Sequence, residues 1–274
     1  MSVSPTSVLP TSQQLIDIIR TAAKQELLPR FERVALQATS ELKADGSIIT
    51  EADLAMQKCL SQKLKTHWPD IAFLGEEMTE QEQQALLSQT EKGLWVVDPI
   101  DGTTNFSLGI PFYAVSVGYI KDSQVQLGVV YDPSRDECFH AIRGEGAFLN
   151  GKQLDLNESA TVNTITVAEI DFKRLSPELA QKIVTNPPYK SQRSYGSVAL
   201  DWCWFAAGRG DVYLHGRANL WDFAAGSLIL EEAGGVSSTL EGEPVFNGSL
   251  APRSAVIAIN QSLYDQWYGF LTDD

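Results

Sequence analysis

Apolar residues near the start of the chain return every three or four positions, which is the period of an α-helix with one buried face. This pattern predicts an amphipathic helix over 11–37, and Pro29 inside it predicts a kink or a boundary. A second helix is predicted over 50–65, where apolar residues again share one face. The residues between the two helices, 43–46, are typical of a turn.

The middle of the chain has the pattern of β-strands. An apolar run at 94–97 predicts a buried strand that ends at Asp98, and a shorter strand is predicted at 71–74, followed by a polar helix around 81–87. Turn-forming residues separate further strand-like stretches and predict antiparallel pairing. These stretches are the strands 113–121, 125–132 and 137–143, and a tight hairpin over 144–151.

Composition changes near 156–161, and strands alternate with helices beyond that point. The strands are predicted at 164–168, 212–214 and 255–259, and the helices at 177–184, 198–207, 223–233 and 261–271. The sequence therefore predicts an α+β half with an antiparallel sheet over 1–156 and an α/β half over 157–274.

The chain is strongly acidic, with 21 Lys and Arg against 35 Asp and Glu and a net charge of −14. This charge argues against a nucleic-acid partner and against an anionic membrane surface, since both rely on basic residues. It suits divalent cations where several carboxylates converge. Three scattered cysteines and the absence of a secretory pattern in 1–10, a Ser/Pro-rich stretch expected to be frayed, predict a cytoplasmic protein.

Five acidic residues stand where a predicted strand ends or a predicted helix begins: Asp53, Glu76, Asp98, Asp101 and Asp222. Each has an ordinary explanation when it is taken alone. Asp53 completes a capping-box pattern with the threonine three residues before it, Asp101 precedes a glycine as in a turn, and Asp222 suits a helix N-cap.

Their combination points to a metal-assisted reaction on a phosphate. Asp98 and Asp101 flank a turn stiffened by Pro99, and Mg²⁺ prefers a small number of carboxylates together with carbonyl and phosphate oxygens. The following residues, 102–104, predict a helix start whose backbone N–H groups suit a phosphate. Metal binding beside such a helix start is typical of phosphate-ester hydrolysis.

Three motifs resemble the inositol monophosphatase family, and the resemblance extends from about Gln14 to Leu271 in the family's order. They are Asp98-Pro99-Ile100-Asp101-Gly102-Thr103-Thr104-Asn105-Phe106, Leu74-Gly75-Glu76-Glu77, and Trp221-Asp222-Phe223-Ala224-Ala225-Gly226 with Glu232-Ala233-Gly234-Gly235. The resemblance implies a layered αβαβα sandwich and a Mg²⁺-dependent, Li⁺-sensitive phosphomonoesterase, commonly a homodimer. In such an enzyme the second half of the chain completes the active site.

The resemblance also implies roles for individual residues, with about two to three Mg²⁺ ions in each site. Glu76, Asp98 and the carbonyl of Ile100 would hold the first ion, and Asp98, Asp101 and Asp222 the second. Glu76 would also face a third, weaker site. Thr103 paired with Asp53 would orient the attacking water, and Lys43 falls near the family's active-site lysine, one residue closer to Asp53.

The substrate end of the site is where this sequence departs from the family. Gly196, Ser197 and Val198 fall where the family contacts the polyol, together with Glu76, Ile100, Asp101, Gly102, Thr103 and Asp222 around the phosphate. His215 falls where inositol-specific members carry a glutamate that accepts hydrogen bonds from ring hydroxyls. A neutral imidazole accepts one hydrogen bond at most, so we expect a relaxed preference. Alternatively, His215 ends its strand and faces solvent.

Other interpretations fit the sequence less well. A phosphatase of the haloacid dehalogenase type needs aspartates two residues apart, whereas Asp98 and Asp101 are three apart, and the pattern of an EF-hand loop is absent. A same-fold phosphatase with another substrate remains open, such as fructose 1,6-bisphosphate, histidinol phosphate or a 3′-phosphonucleotide. A non-catalytic regulatory partner would have eroded acidic ligands or a basic surface, and neither is found here.

Overall fold

Two large β-sheets, a small two-stranded sheet and three helical layers make up the computed structural model of this chain. It describes residues 10–34, 40–42, 48–88, 90–159 and 162–273. The turn with Lys43 and the stretch expected to be frayed, apart from its last residue, lie outside the described residues. Among those that are described, every helix is too short or too polar to cross a bilayer.

The N-terminal helical pattern forms two helices instead of one. Helix α1 (Ser12–Glu26) ends at Leu27, and α2 (Leu28–Val34) follows directly. The predicted break at Pro29 is confirmed, because a proline in the first turn of α2 lacks only an N–H that would have no partner there. A short antiparallel pair, β1 (Ser40–Leu42) and β2 (Ile48–Thr50), was not predicted. Helix α3 (Glu51–His67) confirms the second predicted helix.

The first sheet contains seven strands in chain order, with all neighbours antiparallel except its first two strands. Its strands are β3 (Ala72–Gly75), β4 (Leu94–Asp101), β5 (Ala114–Lys121), β6 (Gln124–Asp132), β7 (Glu137–Ile142), β8 (Gly146–Leu149) and β9 (Lys152–Leu154). Helix α4 (Glu80–Leu87) connects β3 to β4, and α5 (Thr103–Ser107) lies between β4 and β5. The prediction that the β4 strand ends at Asp98 was wrong. The pairing with β5 shifts register after Asp98, since Pro99 has no N–H to donate, and resumes where Asp101 faces Ala114.

The second sheet has five strands in the order β11-β10-β12-β14-β13. Its strands are β10 (Val167–Asp171), β11 (Ser191–Arg193), β12 (Val212–Ala218), β13 (Val236–Ser238) and β14 (Arg253–Ala258). The helices of this half of the chain are α6 (Pro177–Thr185), α7 (Val198–Ala206), α8 (Leu220–Ala233) and α9 (Gln261–Thr272). Strands β11, β10 and β12 are parallel to one another. The strand predicted at 164–168 begins three residues later, and the two three-residue strands β11 and β13 were not predicted.

Helices α1 and α3 cover one face of the first sheet, and α7 and α8 fill the space between the two sheets. Helix α9 packs on the outer face of the second sheet, which completes the αβαβα sandwich. The predicted boundary at 156/157 falls between β9 and β10, and the larger buried cluster includes side chains from both sheets. A division into two domains stays a prediction.

Helix α8 lies unusually close to its neighbours, and this fixes the position of its first turn. A Cβ atom on Gly226 would lie 2.6 Å from the Cβ of Trp202 in α7, and one on Gly128 of β6 would lie 2.7 Å from the carbonyl oxygen of Ala225. Only small residues permit this approach. The start of α8, with Asp222, is thereby held against the end of β4.

Candidate active site

The predicted acidic residues come from four elements that meet at one place. Asp98 and Asp101 lie in the last half of β4, where the register shift turns the chain out of the ladder. Asp222 lies in the first turn of α8, and Asp53 in the first turn of α3. Glu76 directly follows β3, and its N–H donates to the carbonyl of Val97 in β4 at 3.1 Å.

Three of these side chains form what we call the acidic cluster: Asp98, Asp101 and Asp222. One carboxylate oxygen from each lies within 4.8 Å of the other two. Asp98 and Asp101 are buried, with 2% and 7% of their surface exposed, and Asp222 is half-buried. Within the described part of the chain, no Lys or Arg forms an ion pair with any of them.

The electrostatics of the acidic cluster show a shortage of positive charge. Burial raises the pKa of Asp98 well above its usual range, and the nearby carboxylates, Glu76 first among them, raise it further. Burial and the charges of Asp101 and Glu76 do the same to the pKa of Asp222. Burial raises the pKa of Asp101 to about 6, although hydrogen bonds, chiefly from Ser197, oppose this rise. A bound cation would reverse these shifts.

Glu76 is not among the three carboxylates that lie within 4.8 Å of one another. Its side chain is half-buried, and its charge acts on all three members of the acidic cluster. The structure therefore brings Glu76 beside the acidic cluster, and its role as a metal ligand stays a prediction.

The turn that follows Asp98 is held by its own side chain. The N–H of Ile100 donates to Oδ1 of Asp98 at 3.0 Å, so the carboxylate fixes the course of the chain through Pro99. The carbonyl oxygen of Ile100 accepts from the hydroxyl of Thr103 at 2.9 Å. This carbonyl therefore faces the same side as the Thr103 hydroxyl.

Thr103 also links the acidic cluster to α3. Its Oγ1 lies 3.2 Å from Oδ1 of Asp53, which is fully buried. One hydroxyl carries one proton, so at any moment Thr103 donates either to Asp53 or to the carbonyl of Ile100. The pairing of Thr103 with Asp53, 50 residues apart in the chain, is found as the motif resemblance implies.

Asp222 is not the N-cap of its helix, which is a correction to the ordinary explanation of this residue. Helix α8 begins three residues earlier than predicted, with Asn219 as its N-cap. Asp222 then occupies the third helical position, and its Oδ2 accepts from the N–H of Asn219 at 2.8 Å. This hydrogen bond holds the side chain toward the start of α8 and toward the acidic cluster.

Residues 195–199, which we call the linking segment, join the second sheet to Asp101. Oδ2 of Asp101 accepts from the hydroxyl of Ser197 and from the N–H of Ala199 at 2.7 Å. Gly102 and Gly196 both have φ of +88°, and a Cβ on Gly102 would lie 3.2 Å from the carbonyl oxygen of Gly196. The structure therefore brings Gly196, Ser197 and Val198, which begins α7, beside the acidic cluster.

Sequence reasoning gave no role to Asn105, although it lies in the quoted motif. Its Nδ2 donates to the carbonyl of Tyr195 at 2.7 Å and to that of Phe112 at 2.8 Å. A buried asparagine in the first turn of a short helix was the available signal, because its amide needs partners.

His215 does not face solvent, so that interpretation was wrong. Its strand, β12, continues to Ala218, and only 4% of His215 is exposed. Its Nε2 lies 3.1 Å from Oδ2 of Asp171, and its Nδ1 accepts from the N–H of Arg217 at 3.3 Å. Although burial raises the pKa of Asp171, contacts with His215 and Arg174 outweigh it, and this pKa is lowered. The Asp171 partner was not found from sequence.

The match to known proteins spans almost the whole chain. The model of the inositol monophosphatase family matches residues 10–269. Inositol monophosphatase 1 of Sus scrofa is 31% identical over 259 residues, which cover 92% of this chain and 88% of that protein. Nus factor SuhB of Pasteurella multocida is 37% identical over 211 residues, or 76% of each chain.

A solved structure agrees with these matches. The crystal structure of SaIMPase-II of Staphylococcus aureus with bound inositol monophosphate superposes with a TM-score of 0.75 and 27% identity, and it covers 94% of this chain and 93% of the other. The fold class predicted from sequence is confirmed by such neighbours. From its motifs, its layered fold and its matches, this chain belongs to the inositol monophosphatase family, whose members are metal-dependent phosphatases acting on phosphate monoesters.

Proposed function

We propose that this protein is a Mg²⁺-dependent phosphomonoesterase that hydrolyses inositol monophosphate or a related small polyol or sugar phosphate with a water activated at the acidic cluster. The observation that carries the proposal is the convergence of three carboxylates within 4.8 Å, two of them buried, with no basic ion-pair partner among the described residues. Such an arrangement is costly unless a cation is bound.

The donor set fits Mg²⁺, because every available ligand atom is a hard oxygen. Asp98, Asp101 and Asp222 offer carboxylates, and burial together with repulsion from neighbouring carboxylates, including Glu76, raises the pKa of each. The residues that would hold the ions are Glu76, Asp98 and the Ile100 carbonyl for the first, Asp98, Asp101 and Asp222 for the second, and Glu76 for a weaker third. Bound there, Mg²⁺ would supply a water nucleophile at neutral pH and neutralise charge on the phosphate.

Thr103 orients the attacking water through its hydroxyl. When the carbonyl of Ile100 is used by the metal site, the Thr103 proton is donated to Asp53, 3.2 Å away. A lone pair of Thr103 Oγ1 then accepts a hydrogen bond from the water, so that a lone pair of the water oxygen points at phosphorus. Glu76 follows β3, the parallel neighbour of β4, and acts beside them on the same water.

The remaining predicted contacts bind the ester itself. Gly102 and Thr103 present backbone N–H groups to the phosphate, which is the chemistry of a helix start. Gly196, Ser197 and Val198 contact the alcohol portion, because the linking segment lies against Gly102. Positioning and charge then account for most of the rate, as in other phosphoryl transfers.

The alcohol specificity is relaxed, and His215 is the reason. Both ring nitrogens of His215 already have partners in Asp171 and the N–H of Arg217. A ring with both nitrogens engaged has no lone pair to accept a hydroxyl of the substrate. Sites reject the wrong alcohol strongly only where they pair with its polar groups, so other phosphate esters should compete with inositol monophosphate.

The test is phosphate release from inositol 1-phosphate, fructose 1,6-bisphosphate, histidinol phosphate and a 3′-phosphonucleotide, each with Mg²⁺ and with a chelator. We expect Mg²⁺-dependent release, with kcat/KM for inositol 1-phosphate within about tenfold of the best other substrate. If none of these esters releases phosphate in a Mg²⁺-dependent way, the proposed phosphomonoesterase activity is refuted. A preference for inositol 1-phosphate of about a hundredfold or more would refute only the argument from His215.

The enzyme is expected to be a cytoplasmic homodimer that takes small phosphorylated polyols or sugars and neither nucleic acid nor membrane. Its cysteines are free thiols, two of them buried. The exposed apolar residues Leu108 and Ile110, just beyond α5, are candidates for the dimer surface. Light scattering on the purified protein tests the dimer, and a monomer at micromolar concentration would refute it.

The likeness to a Nus factor favours a second candidate function, which is a regulatory role in binding another protein.

A further inference from the structure

Two buried acids outside the acidic cluster, Glu169 and Asp201, form what we call the acid pair. Glu169 lies in the middle of β10 and Asp201 in α7, and only 3% and 4% of them is exposed. Burial raises the pKa of Glu169 to about 7 and that of Asp201 well above its usual range, and a hydrogen bond between the two side chains acts on both pKa values. Such a bond requires a proton between the two carboxyl groups. No feature of the motifs or of the proposed reaction accounts for this pair.

The surroundings give each acid one further partner. Oε1 of Glu169 accepts from the N–H of Tyr195 at 3.0 Å. The hydroxyl of Tyr213 donates toward Asp201 and opposes the rise of its pKa. The remaining proton belongs to the pair as a whole. Two carboxylates this close and this buried cannot both be ionised.

Glu169 holds one end of the linking segment. The N–H of Tyr195 is bound by Glu169, and the carbonyl of Tyr195 is bound by Nδ2 of Asn105 at 2.7 Å. The same segment then binds Asp101 through the hydroxyl of Ser197 and the N–H of Ala199. A continuous set of hydrogen bonds thus runs from Glu169 to a member of the acidic cluster.

Asp201 holds the other end of the segment. It lies one helical turn after Ser197, and its N–H donates to the Ser197 carbonyl at 2.9 Å. Because the Asp201 side chain also shares a proton with Glu169 of β10, the first turn of α7 is tied to the second sheet. Movement of either acid would move the groups that hold Asp101.

We propose that Glu169 and Asp201 share one proton and act as a positioning pair that fixes the linking segment, and through it Asp101 and the substrate contacts at 196–198. This inference rests on the proposed function only for its activity readout. Outer contacts that orient metal ligands commonly change metal affinity or activity by about 10–100-fold when they are removed. The same range is expected here.

The experiment compares Glu169→Ala with Glu169→Gln and Asp201→Asn. We expect Glu169→Ala to lower kcat, kcat/KM and Mg²⁺ affinity by about 10–100-fold, because the linking segment supports both Asp101 and the substrate contacts. Each amide variant keeps one N–H donor across the pair, so both should stay within about threefold of wild type. Mg²⁺ affinity is measured by calorimetry without substrate, so it tests the inference even if the protein hydrolyses none of the esters.

Ser238→Ala is the matched control, since it removes a buried hydrogen bond in β13, far along the sheet from the linking segment. It should lower the unfolding temperature without changing kcat or Mg²⁺ affinity. Should Glu169→Ala fail to fold, Asp201→Ala takes its place with the same expectation. The inference is overturned if the alanine variant keeps wild-type kcat and Mg²⁺ affinity, or if the amide variants are impaired as much as the alanine variant.

Discussion

The protein buries two groups of acids, and the contrast between them shows what distinguishes a metal site from a structural carboxyl. In the acid pair, the two carboxyl groups share a proton, and Glu169 also accepts from the N–H of Tyr195. In the acidic cluster, three carboxylates face one another, and hydrogen bonds to Asp101 and Asp222 satisfy only part of their oxygens. Both groups contain buried acids. The groups around each carboxyl therefore decide whether it suits a cation or a structural hydrogen bond.

The largest expected effect comes from replacing an aspartate by asparagine in the acidic cluster, compared with the same replacement in the acid pair. Asp98→Asn removes a charge that the two proposed metal sites would share, so phosphate release should fall by more than about 100-fold, beyond the range expected for an outer contact. Asp201→Asn leaves a donor in place and should stay close to wild type. Asp136→Asn, at an exposed turn of the first sheet, is the control for the substitution itself. Equal losses in Asp98→Asn and Asp201→Asn would erase the contrast between the two groups.

The next effect separates chemistry from binding beside the acidic cluster. Thr103→Ala removes the hydroxyl that lies 3.2 Å from Asp53, so kcat should fall by roughly 100-fold or more while KM changes little. Thr103→Ser keeps the hydroxyl and should recover much of the rate. Steady-state kinetics on the best substrate distinguishes the two, and a raised KM at unchanged kcat would make Thr103 a phosphate contact only.

Metal binding should stabilise the folded protein at the acidic cluster and not at the acid pair. At about 100 times the dissociation constant, Mg²⁺ adds roughly 2.7 kcal/mol, which raises the unfolding temperature of a chain of this size by about 5–10 °C. Asp201→Asn should show the same rise, and Asp98→Asn little or none. In chelator, Asp98→Asn should unfold at a higher temperature than wild type, because it removes a buried charge without a cation. Scanning calorimetry with and without Mg²⁺ gives all these values.

The smallest effect is the pH dependence of the metal-free protein. Burial raises the pKa of Asp101 from 3.8 to about 6. The folded state therefore binds more protons than the unfolded chain between these pH values, and its stability falls as pH rises through this window. The expected loss is a few kcal/mol at most, since one pKa unit corresponds to about 1.4 kcal/mol. Unfolding curves of wild type and Asp101→Asn from pH 4 to 7 in chelator test this, and parallel pH profiles would contradict it.

The parts of the site that lie close together in the sequence were predictable from it. Asp98, Asp101 and Thr103 belong to one uninterrupted stretch, so their shared location follows from a single turn and helix start. The outline of the antiparallel strands β5, β6 and β7 was predictable for the same reason, because adjacent strands and turn residues specify one another.

The parts built from distant residues were not predictable. Glu169 and Asp201 are single acids within a strand and a helix, and nothing local marks them as partners of each other. Asp171 and His215 become neighbours only because β10 and β12 pair in parallel in a register that places them side by side. The extension of β4 beyond Pro99 depends on β5 as a neighbour, which no local pattern of residues 94–101 contains.

The most direct test of the central claim is a crystal of the protein soaked in Mn²⁺, which stands in for Mg²⁺ and scatters anomalously. The account predicts anomalous peaks about 2.2 Å from the carboxylate oxygens of Asp98, Asp101 and Asp222, with none between Glu169 and Asp201. An acidic cluster without a peak at saturating Mn²⁺, or a peak at the acid pair instead, would contradict it.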